Sequence, residues 1–430
     1  MRRWIGAVGL GVWLFTGLPA LADTGDSGPD WISQFWQDEK MSLFLRTDYF
    51  ENSRLLDGQK DLWGGTAQFQ AKPSLGDVDG KLNLHVLEPN FLTGGQAAFN
   101  LVEGYLAFHL GSLDARVGKI SVPWGRADGV NPTDNLTPHD YTLQLPFDED
   151  LRVGLAALKL DYYLDEELDV TLFTTPFFEP SRFPLPGAGG GVSYRVTTPD
   201  QTLQNEEVGV KLNKTGGDWD WSVSYFHGFR SLPDLGLASE GAGATVVGVS
   251  YSPMDVFGAD FAHNLGPFAI RGEAAYTRPE KAPAGDLNRL QPFVMAVFGL
   301  DRSFDQELNV NLQIIGRFAT DFAGLPSTPD GFRNQVNELN RIVNNQQDAN
   351  SYEISFRVGD KWMNEALGAE VFGVVDLTRN DSYIRPSVNY AFNDQWTGWV
   401  GWDIYRGDAN TPFGLLEPTQ GFFSEVRYAF

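Results

Sequence analysis

The 430-residue sequence contains no cysteine, which excludes a disulfide framework and attachment through a lipidated cysteine. Basic residues are few: the chain has 32 Lys and Arg and 56 Asp and Glu, which gives a net charge of −24. A chain this acidic is a poor candidate for binding nucleic acid, and none is expected as a partner. After the first 20 residues no apolar run reaches the roughly 18 residues of a transmembrane helix.

The apolar run at the amino terminus has the features of a secretory signal peptide. Met1-Arg2-Arg3 is followed by an apolar stretch from Trp4 to about Leu18 and an Ala-x-Ala-like site that ends at Ala22. A basic start, a short apolar segment and small residues before the cleavage point are typical of such signals. We therefore predict a signal peptide over residues 1–22. Residues 23–40 are predicted to be a short periplasmic segment, either a small amphipathic helix or a disordered tail.

Alternating apolar and polar residues dominate the rest of the chain. Between residues 308 and 318, for example, Leu308, Val310 and Leu312 alternate with polar residues. Mean hydropathy is only −0.25 despite 13% aromatic residues, as expected when apolar side chains occupy one face of each strand. This pattern predicts an all-β chain: an antiparallel transmembrane β-barrel of about 18 strands over residues 41–430. Residues 245–263 read as one long strand kinked at Pro253, and the loop 321–350 as the place of one helix.

The connections between these strands alternate in length. Short turns are expected at 111–114, 164–166, 215–217 and 264–267, and longer loops at 123–150, 176–204 and 321–350. Outer-membrane barrels have short periplasmic turns and long external loops, whereas a soluble β-sandwich has no reason to sort its loops in this way.

The last ten residues carry a family resemblance. Phe422, Val426, Tyr428 and Phe430 lie on one face of this segment, and Glu425 lies on the other with Arg427. A final strand that ends on an aromatic residue resembles the closing strand of Gram-negative outer-membrane β-barrels, here of the porin-like channel family. The resemblance implies export to the outer membrane, contact with its lipid and lipopolysaccharide, recognition by the barrel-assembly machinery through this strand, and a possible homo-oligomer.

The loop 123–150 resembles the constriction loop of porins, which folds into the barrel and narrows it. In those proteins, loop acids face basic wall residues and create a transverse field that orients polar solutes. The loop residues expected to act here are Arg126, Asp128, Asp134, Asp140, Asp148 and Glu149. The wall residues are Lys119, Lys159, Arg271, Arg317, Arg357 and Arg385. Local acids compete for the arginines, with Asp376 expected near Arg317 and Arg385.

The leading hypothesis is therefore a channel for small polar solutes. An export or scaffold barrel for polysaccharide or another protein remains an alternative, which aromatic stacking inside the barrel would favour. An outer-membrane hydrolase is a third, but the chain has only five His, and no Ser–His arrangement is legible around His139. No catalytic residue, metal site or cofactor is expected.

Overall fold

The computed structural model describes residues 41–88, 97–143, 148–185, 192–241, 244–280, 286–304, 308–326 and 331–430. The predicted signal peptide at 1–22 and the predicted segment at 23–40 lie outside these residues, as do the side chains of Asp148 and Glu149.

Eighteen antiparallel strands close into a barrel, as the alternation predicts. The barrel strands are β1 (Met41–Asn52), β2 (Lys60–Ala71), β4 (Val78–Glu88), β5 (Ala98–Leu110), β6 (Leu113–Ile120), β7 (Leu155–Tyr163), β8 (Leu168–Thr175), β10 (Glu207–Lys214), β11 (Trp219–Phe229), β14 (Pro253–Leu265), β15 (Phe268–Pro279), β16 (Phe293–Phe304), β17 (Leu308–Ala319), β18 (Asn350–Trp362), β19 (Leu367–Asp376), β20 (Asp381–Ala391), β21 (Trp396–Arg406) and β22 (Gly421–Ala429). The two-residue strand β3 (Ser74–Leu75) belongs to the turn before β4.

The first and last strands close the barrel. β1 pairs with β22 from Phe44 opposite Ala429 to Phe50 opposite Phe423, and every other barrel strand pairs with its neighbours in sequence. The connections of β5–β6, β7–β8, β10–β11, β14–β15, β18–β19 and β20–β21 are short and share one end of the barrel, which we call the short-turn end. Longer connections, including the loop 123–150, lie at the opposite end, the long-loop end.

The barrel wall exposes apolar side chains and buries polar ones, the reverse of a soluble protein. Outward-facing Val117, Val223, Phe298 and Ile314 are at least 47% exposed. Inward-facing polar residues are buried, among them Gln68, Asn83, Asp161, Ser222, Asn311 and Gln313. An apolar exterior around a polar interior is the surface that a barrel presents to a bilayer.

A smaller sheet stands at the long-loop end, and it corrects one sequence prediction. β12 (Asp234–Gly241) pairs with β13 (Ala244–Ser250), and β13 pairs in parallel with β9 (Val192–Val196). The predicted strand 245–263 is therefore wrong as a single element: its first part leaves the barrel as β13, and β14 begins at Pro253. Apolar and polar residues alternate through both β13 and β14, because each strand buries one face. This alternation does not show that the two strands pair with different neighbours.

Helix α1 (Gly331–Val343) covers this small sheet, as predicted for the loop 321–350. Its Val336 and Val343 pack with Leu235, Val247 and Val249 in a buried apolar cluster. A second short helix, α2 (Pro412–Leu416), was not anticipated; the side chain of Thr411 caps it. Within the described part of the chain, neither helix is long and apolar enough to cross a bilayer.

Candidate functional site

The loop 123–150 packs against the inner wall of the barrel through its own apolar residues. Trp124 and Leu136 are 5% and 3% exposed and belong to one cluster with Ile120, Leu155 and Phe226 of the wall strands. The bulk of the loop requires small residues opposite it. A Cβ built on Gly209 would lie 2.9 Å from Cη2 of Trp124, and one on Gly258 would lie 2.5 Å from Cγ2 of Thr133.

Glu273 of β15 holds the first half of the loop. Its carboxylate, 3% exposed, accepts hydrogen bonds from the backbone N–H groups of Arg126 at 3.0 Å, Ala127 at 3.2 Å and Thr133 at 2.8 Å. The hydroxyl of Thr133 donates a fourth bond at 2.8 Å. Bonds to an ionised acceptor are roughly twice as strong as neutral ones. Arg271, two residues away on the same strand, is not its partner and lies 3.3 Å from Asp301.

Arg126 reverses the expected polarity of the loop–wall contact. Its guanidinium forms an ion pair with Asp260 of β14 and donates to Oδ1 of Asn213 at 2.8 Å. Arg271 donates in turn to the carbonyl oxygen of Arg126 at 3.4 Å. The loop is thus basic where the wall is acidic at this point.

Asp128 forms an ion pair of the predicted kind, between a loop acid and a basic residue of the wall. Its Oδ2 lies 3.2 Å from Nε of Arg357 on β18, and Nη1 of Arg357 donates to Glu370 at 2.7 Å. The loop leaves the wall after β6, the fifth barrel strand, and β18 is the fourteenth of eighteen. These strands lie half-way round the barrel from each other, so the contact joins opposite walls.

Asp134 and Asp140 tie the loop to neighbouring backbone segments. Asp134 forms an ion pair with Arg152 at 2.8 Å and accepts from the N–H of Trp124 at 3.3 Å. Burial raises the pKa of Asp134, while Arg152 acts in the opposite direction. Asp140 is 2% exposed and pairs with Arg182 of the next long loop at 2.9 Å. Both acids are therefore engaged in fixing loop geometry.

The remaining wall cations have separate surroundings. Lys159 pairs with Asp161 on its own strand, Lys119 lies at the end of β6, and Arg385 of β20 binds Asp403 at 2.6 Å. Arg317 is buried beneath the end of α1, where it donates to the carbonyl oxygens of Asn344 and Asn345 at 2.5 and 2.7 Å.

Asp376, expected beside Arg317 and Arg385, pairs instead with Arg379 of its own turn. Residues three apart at a strand end are brought together by that turn, which the strand alternation did not predict.

Two further arginines approach the loop and were not among the predicted wall residues. Arg46 of β1 forms an ion pair with Asp150 and donates to Gln68 at 2.9 Å. Arg54, just beyond β1, donates to the carbonyl oxygen of Leu143 at 3.4 Å. Arg46 and Asp48 are two residues apart on β1, so the alternation of the strand predicts that both side chains face inward. Arg54 lies in a loop, where no such alternation predicts its direction.

The comparison with protein families covers the loop and the wall that holds it. A family model described as a protein of unknown function (DUF1302) matches residues 36–295, more than half of the chain. The chain belongs to this family. The matched part of this DUF1302 protein includes Arg126, Asp128 and Glu273. No curated protein sequence matches the chain.

Solved structures share the fold of this DUF1302 protein at low sequence identity. OccAB4 of Acinetobacter baumannii is 12% identical over 91% of this chain and 97% of that chain, with a TM-score of 0.55. OccK11 (OpdR) of Pseudomonas aeruginosa is 10% identical over 91% and 95%, with a TM-score of 0.51. OpdK of Pseudomonas aeruginosa, solved with vanillate, is 9% identical over 91% and 98%, with a TM-score of 0.52. These proteins are outer-membrane porins, and the DUF1302 protein has their barrel fold.

Proposed function

We propose that the protein is an outer-membrane channel for small polar solutes, with its long-loop end outside the cell. The apolar exterior, the polar interior and the porin barrel fold support this proposal. Solutes would pass through a wet lumen, since its many ionised side chains would be costly to bury in a dry one.

We further propose that the loop 123–150 narrows the lumen. The contact between Asp128 and Arg357 carries this proposal, because a loop that reaches the opposite wall divides the cross-section of the barrel. The same contact argues against export of a polymer, which needs an unobstructed lumen. Charged groups on both sides of such a passage set its selectivity.

Conductance in planar bilayers tests the proposal. The purified protein should give discrete ion-current steps, and deletion of residues 125–135 should give larger steps if the loop narrows the lumen. Correct folding of both forms is checked by their heat-modifiable migration in detergent gels. Absence of current from both forms would reject the channel, and equal steps from both would reject the narrowing.

A further inference from the structure

Four half-buried rings group around Tyr383 on the inner wall, between the long-loop end and the loop 123–150. Phe413 of α2 lies 6.1 Å from Tyr383 between ring centroids. Tyr383 stacks on Tyr405 at 4.9 Å and 15°, and meets Phe372 edge-on at 6.0 Å. We call these four residues the aromatic lane.

The lane ends at the contact between opposite walls. The guanidinium of Arg357 lies 5.0 Å from the ring centroid of Phe372, and a Cβ built on Gly129 would lie 3.9 Å from Cε2 of that ring. Phe372 therefore adjoins the tip of the loop 123–150. At the other end, the N–H of Phe413 donates to Asp381 at 2.9 Å, which fixes α2 over the outer end of β20. Tyr383 thus connects the other three rings, which together reach from the long-loop end to mid-barrel.

The guanidinium groups beside the rings are all paired with carboxylates. Asp403 accepts from Nε of Arg385 at 2.6 Å and from the hydroxyl of Tyr383 at 2.8 Å, and lies 3.4 Å from Arg54. Arg357 is shared between two acids, as described above. Three guanidinium groups therefore pair with three carboxylates, Arg54, Arg357 and Arg385 with Asp128, Glu370 and Asp403, and Asp381 adds a fourth carboxylate at the outer end.

This combination selects a class of solute. Aromatic rings bind flat apolar faces, and paired guanidinium and carboxylate groups offer donors and acceptors to hydroxyl groups side by side. An anion would require a cation that is not already neutralised, and the acids of the loop would repel it. A sugar ring has an apolar face and a hydroxyl-rich edge without net charge. We propose that the aromatic lane is a binding site for neutral sugars, an inference that rests on the proposed channel.

The test uses glucose and maltotriose as probes and one matched pair of variants. Tyr405→Leu removes a lane ring, whereas Trp402→Leu changes the outward face of the same strand, where Trp402 is 47% exposed. Maltotriose added at the long-loop side should reduce the ion current in a saturable manner, and more strongly than glucose. The half-blocking concentration should rise roughly tenfold in Tyr405→Leu and stay unchanged in Trp402→Leu. Phe413→Leu, on the loop helix, replaces Tyr405→Leu if that variant does not fold.

Calorimetric titration in detergent separates this inference from the channel itself. Sugar binding without conductance would reject the channel and keep the lane as a sugar site. Ion-current steps that neither sugar reduces, with no heat of binding, would reject the aromatic lane as a sugar site but would still support the channel. Block by benzoate in place of the sugars would overturn the assignment to neutral solutes.

Discussion

Asp128 and Arg357 meet from opposite sides of the barrel, with 3.2 Å between Oδ2 and Nε. Both side chains are about one-third exposed, and ion pairs in such positions contribute only about 0.2–1 kcal/mol. The buried carboxylate of Glu273, with its four hydrogen bonds, contributes more to loop docking. Glu273 therefore holds the loop, and the pair of Asp128 with Arg357 marks where we propose that the loop narrows the lumen.

Asp128→Ala should increase single-channel conductance without releasing the loop. Loss of the ion pair with Arg357 weakens loop docking by only about 0.2–1 kcal/mol. The higher conductance would therefore come from the shorter side chain at position 128, with the loop still in place. Asp200→Ala, which alters an exposed acid on another outer loop, is the control. Unchanged conductance in Asp128→Ala would place the crossing outside the conducting path.

Glu273→Gln should release the first half of the loop. The amide can accept on one oxygen but turns a donor toward the remaining N–H groups, at a cost of about 1–3 kcal/mol for each unsatisfied group. Trypsin should then cleave after Arg126, giving a fragment that begins at Ala127. Glu280→Gln, an exposed change at the end of the same strand, should resist as the parent protein does. Equal resistance of both variants would show that Glu273 is not the anchor.

Gly209→Val should displace the loop while the barrel persists. The added side chain meets Trp124, and overpacking of this kind costs about 1–3 kcal/mol. We expect trypsin sensitivity at Arg126 with normal heat-modifiable migration of the barrel. Val210→Leu, at the next residue, whose side chain is on the outward face of the strand, should change neither trypsin sensitivity nor migration. Loss of the folded barrel in Gly209→Val would instead mean that loop and wall fold as one unit.

Arg317→Met should lower thermal stability and leave conductance nearly unchanged. Its guanidinium serves two carbonyl oxygens at the end of α1 and lies 3.7 Å from the ring centroid of Phe293. Losing these bonds leaves buried acceptors unpaired, at a cost of about 1–3 kcal/mol each. Thermal unfolding followed by tryptophan fluorescence, together with conductance, measures both effects. A conductance change as large as that of Arg357→Met would return Arg317 to the lumen wall.

Acid should strengthen the docking of Asp134 in the loop. A carboxyl whose pKa is raised by folding stabilises the fold when protonated, and this contribution is lost as the pH rises through the raised pKa. The thermal midpoint should therefore gain from this group as the pH falls from about 7 to about 4. Asp134→Asn should remove that gain, and Asp200→Asn should not. An identical pH profile in all three proteins would contradict the assignment.

Much of the barrel follows from local pattern. Alternation alone locates Ala98–Leu110, and the spacing of Phe332, Val336, Leu339 and Val343 locates α1. These signals lie within single segments, where one buried face imposes a period of 2.0 or 3.6 residues.

Contacts between distant segments were harder to predict. Arg271 and Glu273 look like a pair on one strand, yet the first binds Asp301 and the second binds the loop. Likewise, Tyr383 and Tyr405 have the position of girdle aromatics near a rim, but they face inward with Asp403. The path of the loop and the direction in which each side chain leaves its strand decide these partners. Neither can be predicted from the residue type alone.

The closure of the barrel has a consequence for how the chain folds. Each pair of neighbouring strands is local in sequence except the last, because Phe44 must find Ala429 almost a full chain length away. Until then both edge strands present unpaired backbone groups, which cannot remain in hydrocarbon. The long sequence separation of the barrel is therefore concentrated in the pairing of β1 with β22. A chain without β22 should form only an open sheet, which is not stable in the membrane.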